Sequence, residues 1–209
     1  MGQGYTDALA GLIQYYPKKD YWHDLILTIQ KKPGFATRLE LDVYHLKLAV
    51  GALTEVDQYV EAAELAIQAG FPGDAKIFLD KGFDSGALSA GATAARTKRL
   101  SDMASRQAAD DVKTLPQEEK AAQAAASGND LIKLGDAYIS YGQSDKALAA
   151  YQAGIQKGNL KFPDDAKLHL GIAQFQAGQK PAAQKTLKSI SGADGTQDLA
   201  KLWLLQIGP

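Results

Sequence analysis

Asn129-Asp-Leu-Ile-Lys-Leu-Gly135-Asp-Ala-Tyr-Ile-Ser-Tyr-Gly142-Gln-Ser-Asp-Lys-Ala147-Leu-Ala-Ala-Tyr151 is the stretch that decides the fold of this 209-residue chain. Its spacing predicts a helical hairpin. The small residue in Leu134-Gly135 lets two helices approach closely, and Gly142 can take the left-handed conformation that ends a helix. Ala147 and Tyr151, four residues apart, share one face of the second helix and pack back on the first. Working outward, Leu170-Gly171, Gly178, Ala183 and Leu187 repeat the pattern 36 positions later. Stepping 72 positions back from Gly142, twice that period, reaches Gly70, with Ala75 five residues on. One further step reaches Gly34. The register at Arg106 carries no glycine, so the middle repeat is degenerate or replaced.

This pattern resembles the tetratricopeptide repeat, a period of about 34 residues marked by Trp, Leu-Gly, Tyr, Ala, Phe, Ala and Pro. Leu131, Leu134-Gly135, Tyr138, Gly142, Ala147, Tyr151 and Gly154 give the best match. Leu170-Gly171, Gly178, Ala183 and Leu187 give the second, with Gln174 where the tyrosine belongs. Tyr59, Ala63, Ala66, Gly70, Ala75, Leu79 and Gly82 give a weak third. The chain also resembles bacterial tetratricopeptide-repeat proteins of undefined role, through the segments around Tyr16 and Leu170. The resemblance implies an all-α fold, an α-α superhelix of stacked helical hairpins. It also implies an exported or periplasmic bacterial protein, with the cytoplasm as the alternative.

Composition agrees with the fold class. Alanine with Leu, Lys, Gln and Glu is helix-forming. Hydrophobic residues make up 45% and charged residues 22%, ordinary for a globular chain. A formal charge of -1 offers no field for nucleic acid or anionic lipid. No apolar run reaches the length of a membrane span. With no cysteine, disulfides, thiolate catalysis and cysteine-based metal sites are excluded.

Start and stop signals predict eleven or twelve helices. Thr37 and Glu40 read as a capping box. Residues 87–113 break the repeat and read as one long helix between loops at Ser85-Gly86 and Thr114-Leu115-Pro116. The expected division is therefore 1–114, degenerate repeats with a spacer helix, and 115–209, clear repeats with a capping helix; one continuous superhelix is the alternative. Asp7-Ala8 and Leu12 look like the second helix of a hairpin that lacks its first, which suggests a piece or mature form of a longer protein.

Nothing in the sequence reads as catalytic, cofactor-binding or metal-binding. His23, His45 and His169 lie far apart, and none has a histidine four residues on. Asp110-Asp111 and Glu118-Glu119 are sequence neighbours that point to different helix faces, so they read as solvated charge. Asp194 to Asp198 reads as a turn and helix cap. Tyr15-Tyr16 and Tyr21-Trp22 read as packing between hairpins, or as an anchor for a partner. The last helix, with Trp203, carries apolar residues nearly all round. It is expected either to be sheathed by the chain or to meet a second copy.

The resemblance implies a concave face lined by the first helix of each repeat, holding a peptide or another protein. Counting from Leu134-Gly135 puts Asn129, Ile132, Asp136 and Ile139 on that face. The same count gives Asp57 and Glu64 in the weak repeat, and Asp165 and Phe175 in the last. The expected function is a non-enzymatic interaction scaffold, with no cofactor and no nucleic acid. Its groove would be mixed apolar and acidic, and its partner would carry basic and apolar anchors. The alternatives are a homo-oligomeric structural protein joined through the Trp203 helix, and the accessory part of a longer protein.

Overall fold

The computed structural model describes residues 3–89, 91 and 93–208. The described residues form eleven α-helices and no strand. They are α1 Gln3–Tyr15, α2 Lys19–Gln30, α3 Glu40–Ala49, α4 Val56–Ala69, α5 Pro72–Asp84 and α6 Ala94–Ala124. They continue with α7 Asn129–Ser140, α8 Ser144–Lys157, α9 Pro163–Gln176, α10 Lys180–Lys188 and α11 Thr196–Ile207. Consecutive helices pack as neighbours, the arrangement of an α-α solenoid.

The periodic glycines do two jobs. Gly34, Gly70, Gly142 and Gly178 all have positive φ, from +69° to +86°, which only glycine adopts without strain. Gly135 and Gly171 instead make room: a Cβ on Gly135 would lie 2.5 Å from the Tyr151 ring, and one on Gly171 2.7 Å from Leu187. The two strong repeats are thus built alike, with the first helix indented where the second inserts a large side chain.

The structure divides into two compact units, and the divisions fall elsewhere than at residue 115. One unit is Thr54–Ala166. In it α4 packs on α5, α5 on α6, α6 on α7 and α7 on α8. Its core is rich in alanine (Ala62, Ala63, Ala66, Ala104 and Ala108 among others), punctuated by Tyr59, Phe78, Leu115, Tyr138 and Tyr151. Small side chains let these helices pack closely, as the dispersion energy of a dense core requires.

The other unit is Met1–Leu53 together with Lys167–Pro209. Its core draws on both stretches: Leu9, Trp22, Ile26 and Leu46 from one, Leu168, Leu187, Leu199 and Trp203 from the other. The last helix is sheathed, because α1 and α3 both pack on α11 and Trp203 is 1% exposed. The indole is buried inside the unit.

Three local expectations are corrected. No loop interrupts 114–116; α6 runs through Pro116. A proline in a helix interior costs about 3 kcal/mol. Buried Leu115 and Ala122 offset it, as do bonds from α7 to α6 on both sides of the proline: Tyr141 donates to Asp111 and Tyr138 to Glu119. The long helix begins at Ala94 rather than 87, and Ala90 and Ala92 lie outside the described residues. Thr37 and Glu40 do not form a capping box: residues 37–39 make a 3-10 turn, and Leu39, which precedes α3, has no capping side chain. Leu39 is fully buried there, and Glu40 still places an acid in the first turn of α3, favoured by the helix dipole.

Candidate functional site

A cleft of about 300 Å³ opens within the unit of residues 54–166. Three elements form it. The turn from α4 to α5 brings Gly70 and Phe71; α6 brings Asp111, Glu118, Ala121 and Ala122; α7 brings Asp130, Lys133, Leu134 and Ala137. Left-handed Gly70 (φ +82°) ends α4 and lets the chain reverse, which half-buries Phe71 at the cleft wall. On α7, Asp130, Lys133 and Ala137 follow at intervals of three and four residues, so one helix face presents them together. Buried Leu134, Ala137 and Ala122 give the cleft its apolar floor.

Three carboxylates and one ammonium line this cleft. The Lys133 ammonium lies 5.8 Å from the centre of the Phe71 ring, a cation–π contact of about 0.5–1 kcal/mol at such exposure. Asp111 accepts a 2.6 Å hydrogen bond from the Tyr141 hydroxyl, and Glu118 a 2.7 Å bond from the Thr114 hydroxyl. Burial, reinforced by the bond to Asp111, pushes the Tyr141 phenol well above its ordinary value. Burial and the Glu119 carboxylate likewise push Tyr138 up to about 12. Both phenols therefore stay protonated at neutral pH and act as fixed donors that tie α7 to α6. Asp111 and Glu119, read in the sequence as solvated charge, are half-buried acceptors of these bonds.

The residues counted from the repeat lie elsewhere than this cleft. Asn129 clamps a neighbouring loop: its side-chain oxygen accepts from the Lys161 backbone N–H at 2.9 Å, and its amide donates to the Asn159 carbonyl and the Ser127 hydroxyl. Ile132 lies against Gly154 of α8. Asp136 accepts a 2.7 Å bond from Tyr151 of α8, and Ile139 is half-buried. Asp57 and Glu64 are exposed on α4, Glu64 3.3 Å from Arg96. Asp165 is half-buried in the first turn of α9. Phe175 belongs to the other unit and meets Trp203 edge-on at 6.4 Å. The structure brings Asn129, Ile132 and Asp136 together, but against α8 and its following loop. The cleft residues Asp130, Lys133 and Ala137 sit one position along the same helix. The spacing carried that signal; the count followed the neighbouring face.

The other unit holds a polar cluster that the sequence did not reveal. His169 Nε2 lies 3.0 Å from Asp42 Oδ1. Burial pushes the Asp42 carboxyl up, but the charge and hydrogen bond of His169, with His45 and Arg38 behind it, bring it below its ordinary value. Arg38 also pairs with Asp194 at 2.5 Å, and Lys32 with Asp198 at 2.9 Å. Asp194 accepts from the Thr196 hydroxyl and backbone N–H at the start of α11. The Thr196 bond first, and Arg38 next, hold the Asp194 carboxyl down at about 2. These contacts join the two stretches that make up the unit.

Among the described residues no group of three or more His, Asp or Glu side chains could hold a metal ion. No helix of the described residues is long and apolar enough to cross a membrane. No protein-family model matches the chain, and no curated protein sequence matches it.

Proposed function

We propose that this chain is a non-enzymatic interaction module of the tetratricopeptide-repeat kind, which holds a peptide segment of another protein in the cleft between the α4–α5 turn, α6 and α7. The observation that carries the reading is the composition of that cleft: an apolar floor beneath Asp130, Glu118 and Asp111, with one lysine drawn aside onto Phe71. Such a receptor suits a segment with a small apolar anchor beside an arginine or lysine. The apolar group covers Leu134 and Ala137, and the cation meets the carboxylates, where opposite charges steer and orient a partner. Repeated hairpins support the reading, because stacked helix pairs build extended concave binding surfaces.

The test is calorimetric titration with a panel of short peptides that pair Arg or Lys with Ala, Val or Leu. The best binder is expected to lose at least ~10-fold in affinity with Glu118→Lys or Asp130→Lys. Asp57→Lys, on the exposed face of α4, is expected to leave it unchanged. Affinity that depends on Asp57 and ignores Glu118 and Asp130 would move the site to the face counted from the repeat. A panel in which nothing binds would remove the peptide-binding reading.

A further inference from the structure

Among the described residues, the outer face of α1 leaves several large aromatic and apolar side chains uncovered together. Leu9 and Ile13 turn inward and are buried, whereas Tyr5 and Leu12 are 41% exposed, Tyr15 76% and Tyr16 65%. At 100° per residue, Ala8, Gly11 and Tyr15 lie opposite the buried face, with Leu12 and Tyr5 beside them. The tyrosines at Tyr15-Tyr16 thus do not fill an interface between hairpins, although Trp22 does pack into the core.

Gly11 supplies an independent sign. A glycine inside a helix costs about 1 kcal/mol relative to alanine, and the other mid-helix glycines have a local reason. A Cβ on Gly82, Gly135, Gly154 or Gly171 would come within 2.5–2.7 Å of a neighbouring side chain. A Cβ on Gly11 would meet nothing within 4 Å. Nothing inside the molecule requires a bare backbone there, and the bare surface faces outward among exposed aromatics.

We infer that this face of α1 pairs with the same face of a second copy of the chain, the two helices running antiparallel across a two-fold axis between Ala8 and Leu12. The surface is self-complementary in that orientation. Leu12 of each copy falls over Ala8 of the other, the Tyr15 end falls over Tyr5, and Gly11 allows the backbones to approach. Charge selects the direction. Asp7 is the single charged side chain of α1, and Lys18 follows in the turn to α2. Antiparallel pairing brings Asp7 toward the lysine-bearing turn of the other copy, whereas parallel pairing sets acid beside acid and lysine beside lysine. Tyrosine-rich, charge-poor surfaces of this composition are where interface energy concentrates. An isologous contact of this kind closes at two copies.

The experiment is sedimentation velocity on the full chain from about 1 µM to about 500 µM. The account expects a shift from one chain of 22.3 kDa to two as concentration rises. Leu12→Glu and Gly11→Gln are each expected to weaken the dimer at least ~10-fold. Gly11→Gln separates association from folding, because glutamine is the better helix former and its Cβ has open space. Its thermal midpoint should rise at low concentration while the dimer is lost. Asp7→Lys should weaken pairing, and adding Lys18→Glu should restore it. A single-chain mass at every concentration would overturn the inference. So would a dimer indifferent to both Gly11→Gln and Leu12→Glu, or assembly that continues past two copies.

Discussion

The two compact units reach stability by different routes. In residues 54–166 each helix packs on its sequence neighbour, glycines open space for facing side chains, and the core is dense with alanine. In the unit of residues 1–53 and 167–209 the core is made of larger side chains from two distant stretches, joined by Asp42–His169, Arg38–Asp194 and Lys32–Asp198. The first is held by shape at short sequence separation. The second adds partly buried charge at long separation. Short-range packing responds most to steric change, and long-range ion pairs respond to pH and salt.

The largest expected effect falls on shape. Gly135→Leu drives a side chain into the Tyr151 ring and should cost about 3 kcal/mol, measured by chemical denaturation. Gly142→Ala, where nothing crowds the Cβ but φ is +69°, should cost about 1–2 kcal/mol from backbone strain alone. Equal losses at the two sites would show that the glycines do not have two separate jobs.

Next comes Asp42→Ala, which leaves the His169 ring half-buried without its carboxylate and should cost about 2–3 kcal/mol. The same cluster sets the acid response. Asp194 and Asp42 both have folded values below their ordinary 3.8, Asp194 at about 2. A depressed carboxylate contributes its stability above the unfolded value and loses it as pH falls through the folded one. Between pH 4 and 2 the 1–53/167–209 unit should therefore open before residues 54–166, read by hydrogen exchange along the chain. The reverse order would contradict the contrast.

Smaller effects follow. Tyr141→Phe removes the donor to a half-buried Asp111 and should cost about 1 kcal/mol. Arg38→Ala breaks an ion pair with its carboxylate 40% exposed. It should cost about 0.5 kcal/mol, shrinking further in 1 M salt, where the Debye length is about 3 Å.

The same contrast explains what the sequence revealed. The 36-residue glycine register predicted hairpins and left-handed caps, because those properties depend on residues a few positions apart. Sheathing of the Trp203 helix could be anticipated from its all-round apolar character. Its cover could not, because α1 and α3 lie more than 140 positions away in the chain. The Asp42–His169 contact has no local signature for the same reason. The cleft was half legible. Helical spacing singled out α7, but the choice between its Asp136 face and its Lys133 face depends on where α6 lies, and α6 is the element whose repeat signal is missing. Pro116 misled in a similar way: a proline predicts a break unless distant contacts outweigh it.

Thermal unfolding of residues 54–166 produced alone, followed by circular dichroism, tests the central claim most directly. If packing between sequence neighbours holds this unit together, the fragment will be strongly helical and will melt in one cooperative transition. A fragment that is largely unstructured, or that melts without cooperativity, would contradict the claim.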